Sequence, residues 1–357
     1  MVVLLAAGLV VSGCTAVRDG WVQVWGTAPE EPAIVSGSLG YTLTRDIGVG
    51  YEPEVIAVSP DGALIAVAGR DSSFVDLLNA STGARVARLV GHRLPPIGAL
   101  HFSGDSRVLV SAGGLPQPGL PEPSVRVWDV STGAAIDSIG GAQTAAIVSV
   151  AVSSDAARVA SASSDSLKMW MLPASNGASG MWMDHTAVIC GMAASPDLRI
   201  VATGGHDLRV LVRSLATMDR FEALQGHEAA PCGLVLSNDG ATLVTWDFGS
   251  THSTIRLWDT VRFAPRGQVD VRGRVFHVFF DGSRPIAVAR GSVTTPGTPP
   301  AGNAATDRLS FISLGDATVL GEITSSPKVV ATSNNGEVFV VAAWDGRISV
   351  FRRGGAR

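Results

Sequence analysis

The chain has 357 residues, 46% of them hydrophobic and only 16% charged, with 27 basic against 31 acidic side chains and a formal net charge of −4. A mean hydropathy of +0.29 excludes a charge-solvated disordered chain; the near balance of charge argues for no nucleic acid partner; and no run reaches the roughly 18–20 apolar residues of a spanning helix. With 41 glycines and 19 prolines, too many for a helical bundle, the composition points to an all-β protein rich in turns.

The chain opens on an apolar run, MVVLLAAGLVV (1–11), too short to cross a bilayer but suited to the core of a signal peptide. Val11-Ser12-Gly13-Cys14 resembles a bacterial lipobox. That resemblance implies a signal peptide over 1–13, acylation of Cys14 and an extracytoplasmic protein held to a bacterial membrane by a lipid anchor. No Lys or Arg precedes the run, a departure that leaves two alternatives: a true start farther upstream, or a buried strand that mimics a signal. Residues 14–40 read as a tether. Within them Asp19–Trp25, DGWVQVW, alternates like a strand, either as part of the tether or as a piece of an extra repeat.

From residue 41 a two-motif repeat runs through the chain. The first motif is an alternating apolar strand closed by a Ser-x-Asp-like turn: IAVSPDG, LHFSGD, VAVSSD, MAASPD, LVLSNDG and VATSNNG, with Ser59, Ser103, Ser153, Ser195, Ser237 and Ser333. HVFFDG (277–282) is a seventh, shortened copy. About 25 residues later comes the second motif: SVRVWDV (124–130), SLKMWML (166–172) and TIRLWDT (254–260), with degenerate copies elsewhere. Its tryptophan position reads Leu78, Trp128, Trp170, Val212, Trp258, Ile312 and Phe351, all apolar. Alternation at period two makes these strands, and Asp-Gly and Thr-Gly pairs close the hairpins.

Two motifs recurring in phase seven times resemble the WD40-repeat β-propeller family, across residues 41–353. The resemblance implies a seven-bladed β-propeller (354–357 being a tail) with its last blade closed by the N-terminal strand YTLTRDI (41–47). It also implies a buried network in which a His joins a Ser/Thr, an Asp and the Trp. The matching residues are His92, His185 and His227; Ser111, Ser161, Thr203 and Thr245; Asp165 and Asp207; and Trp128, Trp170 and Trp258. No repeat holds all four securely.

Function is expected on one face of the ring. Three connections between second and third strands carry insertions, at 113–123, 247–253 and 291–307. Pro116, Pro118, Pro121, Pro123, Pro296, Pro299 and Pro300 stiffen the two longest, and Phe248 and His252 lie in the third. Stiff loops lose less entropy on docking, which marks them as candidate binding loops. Residues opening the inner strands, among them Glu54, Cys190, Cys232 and Lys328, should line the channel mouth. Cys190 and Cys232 stand 42 residues apart at one repeat position, placed either to bridge neighbouring blades or to lie as two free thiols.

No nucleophile elbow, phosphate loop or zinc-protease motif is present, and His101, His206, His252 and His277 lack metal-ligand spacing. The expectation is therefore a non-catalytic interaction scaffold with no cofactor or metal and an unidentified protein partner. The alternatives are a propeller-based hydrolase or lactonase with a channel-mouth site, and an envelope-assembly lipoprotein. His206-Asp207 resembles an acid–base pair, but it falls on the repeat's Asp turn, which favours a structural role.

Overall fold

The computed structural model describes residues 34–35, 39–113, 124–139, 145–173, 178–214, 221–247, 252–293 and 308–354. The signal peptide, Cys14, Phe248 and all seven loop prolines lie outside the described residues.

Among the described residues all regular structure is antiparallel strand. Blade 1 is β3 (Pro53–Val58), β4 (Leu64–Gly69), β5 (Phe74–Asn79) and β6 (Arg85–Val90). Blade 2 is β7 (Ile97–Phe102), β8 (Val108–Gly113), β9 (Ser124–Asp129) and β10 (Ala135–Ile139). Blade 3 is β11 (Ile147–Val152), β12 (Arg158–Ser163), β13 (Leu167–Met171) and β14 (Gly180–Trp182). Blade 4 is β15 (Ile189–Ala194), β16 (Ile200–Gly205), β17 (Val210–Ser214) and β18 (Phe221–Leu224). Blades 5 and 6 share one long strand, β22 (Ala264–Asp281). It is the outer strand after β19 (Gly233–Leu236), β20 (Thr242–Trp246) and β21 (Ser253–Asp259), and then the inner strand before β23 (Arg284–Val293), β24 (Arg308–Ser313) and β25 (Thr318–Thr324). The crossing is made by Gly273 and Gly291, paired at φ of +133° and +141°, where a Cβ on either would run into the facing carbonyl. Blade 7 is β26 (Pro327–Thr332), β27 (Val338–Ala343) and β28 (Arg347–Arg353), completed by β2 (Tyr41–Gly48).

The inner strands β3, β7, β11, β15, β19, β22 and β26 pack each against the next, and β26 returns to β3. The ring is closed, with seven blades and the N-terminal strand in the last, as the repeats implied. Each of the seven apolar cores lies between two adjacent blades rather than within one. This is why the strands are apolar on both faces and the chain carries so little charge.

Six tryptophan-position residues, Leu78, Trp128, Trp170, Trp258, Ile312 and Phe351, are buried against the preceding blade. Blade 4 corrects the expectation by one residue. Val201 pairs with Arg213, not with Val212, and Val212 faces blade 5 instead. A one-residue slip exchanges the two faces of a strand. Arg213 thus takes the tryptophan's place, 4% exposed, ion-paired with Asp184 and lying 4.9 Å over the Trp182 ring.

Two further details differ from the sequence reading. Inside the stretch read as a tether, β1 (Ile34–Val35) pairs with β25 on the outer edge of blade 6, and Leu39 is buried in the core between blades 6 and 7. The insertion read over 291–307 also begins later than its composition suggests: Gly291–Val293 belong to β23 and pair with 271–273 of β22.

The serine motif works through its side chain. Ser59, Ser103, Ser153, Ser195 and Ser237 each donate to the Asp two residues on, and Ser333 donates to Asn335; each also accepts a backbone N–H five residues on. The side chain thus closes each turn locally. The bonds from Ser153 and Ser237 hold Asp155 and Asp239 below the usual carboxylate range.

Candidate functional site

The connections from second to third strands and those between blades emerge together on one face of the ring, which also carries the channel mouth. Six inner strands share a device there that the sequence did not signal. Their ladders slip at Pro53/Val55, Ile97/Ala99, Ile147/Ser149, Ile189/Gly191, Val275/His277 and Pro327/Val329. The residues left over are Glu54, Gly98, Val148, Cys190, Phe276 and Lys328. A bulge frees its extra residue from the ladder and re-aims its side chain. Glu54, Cys190 and Lys328, expected at the mouth, each stand at such a bulge, as does Phe276; Arg274 lies 5.0 Å over the Phe276 ring. In blade 5, Cys232 directly precedes the short β19.

Neighbouring mouth residues are tied together at two seams. At the ring closure Lys328 Nζ donates to Glu54 Oε2 at 2.7 Å and Glu52 Oε1 at 2.6 Å. Burial works against the Lys328 charge, but the bonds to Glu52 and Glu54 prevail and hold its pKa above the ordinary lysine value. The Lys328 hydrogen bond in turn draws Glu52 below the usual carboxylate range. Both shifts favour the charged forms of Lys328 and Glu52. Lys328 also lies 4.9 Å from the Trp344 ring, and Trp344 is 60% exposed on this face. Across the ring, Cys190 and Cys232 form a disulfide with a Cα–Cα distance of 4.9 Å, joining blades 4 and 5.

The histidine networks sit beneath this surface. In blade 2 the Ser111 hydroxyl lies 2.7 Å from His92 Nε2 and accepts the Trp128 Nε1–H at 2.7 Å. In blade 5 Thr245 lies 2.7 Å from His227 Nε2 and accepts from Trp258 Nε1 at 2.8 Å. Blade 4 keeps the histidine without the tryptophan: His185 is 2.9 Å from Thr203 Oγ1 and 2.9 Å from Asp207 Oδ1. Burial, reinforced by Arg126 and Arg256, lowers the pKa of His92 and His227 to about 4, so both rings are neutral at pH 7. Asp207 is thus the partner of His185 rather than of its neighbour His206. In blade 3, Asp165 accepts from Ser163 and Ser166, and Ser161 is fully buried. His252 is exposed just ahead of β21.

A family model described as "WD domain, G-beta repeat" matches residues 219–259. Among solved structures, a chain of the "Crystal Structure of Mitotic Checkpoint Complex" superposes with a TM-score of 0.68 at 17% identity, covering 94% of this chain and 98% of that one. The fold is a WD40 β-propeller. The matched stretch holds Gly226-His227, Thr245 and Trp258-Asp259, so it is the repeat in which this WD40 ring keeps its His–Thr–Trp set with the trailing aspartate. Asp259 is drawn down to about 2 by the Arg262 N–H and the Arg266 guanidinium that cap its turn.

Proposed function

We propose that this WD40 propeller is a non-catalytic protein-interaction scaffold, acylated at Cys14 and held outside the cytoplasm on a bacterial membrane. One observation carries the interaction reading. Trp344 presents a large aromatic face to solvent beside the channel mouth, with Lys328 under its ring and that lysine pinned by Glu52 and Glu54. An exposed tryptophan on a pre-ordered support is the side chain that most often anchors a protein interface, because little entropy remains to be lost on docking.

The test is affinity capture from detergent-solubilised membranes with the full chain. A protein retained by the wild type and lost when short turns replace 114–123 and 294–307, with the sheet intact by circular dichroism, supports the scaffold. Equal capture by the trimmed ring overturns it. Labelling with a fatty-acid analogue tests the anchor: the label should follow the wild type and disappear in Cys14→Ser, and an unlabelled wild type removes the anchor from the account.

A further inference from the structure

The Cys190–Cys232 seam brings a third metal-ligand type to the mouth. His206, in the turn between β16 and β17, places a ring nitrogen so that it and the two sulfurs all lie within 4.8 Å of one another. The backbone fixes this approach, since the His206 N–H donates to the Val188 carbonyl at 2.8 Å, just ahead of β15. The three residues are separated by 16 and 26 positions, which matches no short ligand motif, so only the fold assembles them.

The site is built by local departures from the repeat. At the paired positions Gly191 and Gly204, other blades carry Val55 with Ala68, Ala99 with Ala112, and Val329 with Ala342. In blade 4 a Cβ on Gly191 would occupy the Cys232 carbonyl, and one on Gly204 the Pro231 carbonyl. The two glycines are the bed on which Pro231–Cys232 lies, and that bed sets Cys232 against Cys190. The cysteines are half-buried and His206 is exposed, so one side of the cluster faces solvent.

We infer that the disulfide is the oxidised, closed state of a metal site, and that the reduced pair with His206 binds a borderline-soft divalent cation of the zinc class. Two thiolates and one imidazole are the ligand types such a cation prefers, and three protein ligands leave a fourth, solvent-facing position. The chemistry balances. A dithiol reductant attacks the disulfide, leaves as its own cyclic disulfide and returns two thiols to the protein. The cation then displaces the two thiol protons and is held by Cys190 Sγ, Cys232 Sγ and His206. In the disulfide neither sulfur carries the negative charge a ligand needs, so the oxidised protein does not hold the cation there.

The test uses the full chain carrying Cys14→Ser, reduced with a dithiol, freed of it under anaerobic conditions and titrated with Co²⁺. The expected result is one equivalent bound, with thiolate-to-cobalt charge-transfer bands, release of bound Co²⁺ by Zn²⁺, and no such bands before reduction. Cys190→Ser should abolish the bands. His206→Ala leaves both cysteines in place and should weaken binding by more than the roughly 10–100-fold cost of losing an outer-shell partner. Circular dichroism of the reduced protein and of each variant keeps loss of binding distinct from loss of fold. A folded, reduced protein that takes up no cobalt, equal uptake by the oxidised form, or His206→Ala binding as the parent does would overturn the assignment.

Discussion

Replacing Thr245 by valine tests how much of the ring's stability rests on the buried network. The hydroxyl is fully buried and bridges two rings, accepting from Trp258 Nε1 at 2.8 Å and lying 2.7 Å from His227 Nε2. Valine has nearly the same shape, so the change removes the hydroxyl and leaves two buried ring nitrogens without that partner. Each orphaned buried group costs about 1–3 kcal/mol, which gives about 3 kcal/mol for the pair after partial relaxation. Thr203→Val is the internal comparison. It takes one contact from His185, whose other nitrogen stays on Asp207, and no tryptophan depends on it; the expected loss is about 1–2 kcal/mol. Urea unfolding followed by circular dichroism reads both as midpoint shifts at unchanged slope. If Thr245→Val costs no more than Thr203→Val, the tryptophan bond carries none of the stability and the reasoning fails.

Three further outcomes are expected. His92 and His227 titrate near 4 in the fold and near 6.5 unfolded, so between those values the unfolded chain holds more protons. Stability is therefore full above about pH 6.5 and falls as pH drops towards 4, by at most roughly 3 kcal/mol per ring; an unfolding midpoint equal at pH 7 and pH 4.5 in the wild type contradicts this. Gly204→Ala drives a Cβ into the Pro231 carbonyl and should cost about 1–3 kcal/mol, whereas Gly267→Ala meets nothing within 4 Å and should be near neutral; equal melting of the two variants counts against the glycine bed. Deleting 41–48 strips β28 of its partner and exposes an unpaired edge, so size-exclusion chromatography should show association, and a monomer of wild-type stability would mean that β2 does not close the ring.

The propeller was legible because its signal is repeated: alternation, Ser-x-Asp turns and the tryptophan position are local features, and seven copies make them unambiguous. What stayed hidden depends on register and on distance through space. Val212 looks like the blade 4 tryptophan position because it is apolar. Only pairing with β16 shows that Arg213 stands there, made tolerable by Asp184 and Trp182. The mouth residues could be placed but not joined, since nothing local says that a bulge will turn Lys328 towards Glu54 or Cys190 towards Cys232. The glycines at 191 and 204 are visible in the sequence as composition only, and their meaning comes from the Pro231–Cys232 backbone of the next blade. His206 has no ligand spacing along the chain, a criterion blind to groups that two blades bring together.

The scaffold account rests most directly on Trp344, and one comparison tests it. Trp344→Ala and Val261→Ala both remove exposed apolar side chains, 60% and 75% accessible, from opposite faces of the ring. Affinity for the protein captured from membranes, measured by titration against the wild type and both variants, should fall by at least about 2 kcal/mol, roughly 30-fold, for Trp344→Ala. It should stay unchanged for Val261→Ala. Wild-type affinity in Trp344→Ala, or a loss confined to Val261→Ala, would contradict the claim that this face is where the protein binds.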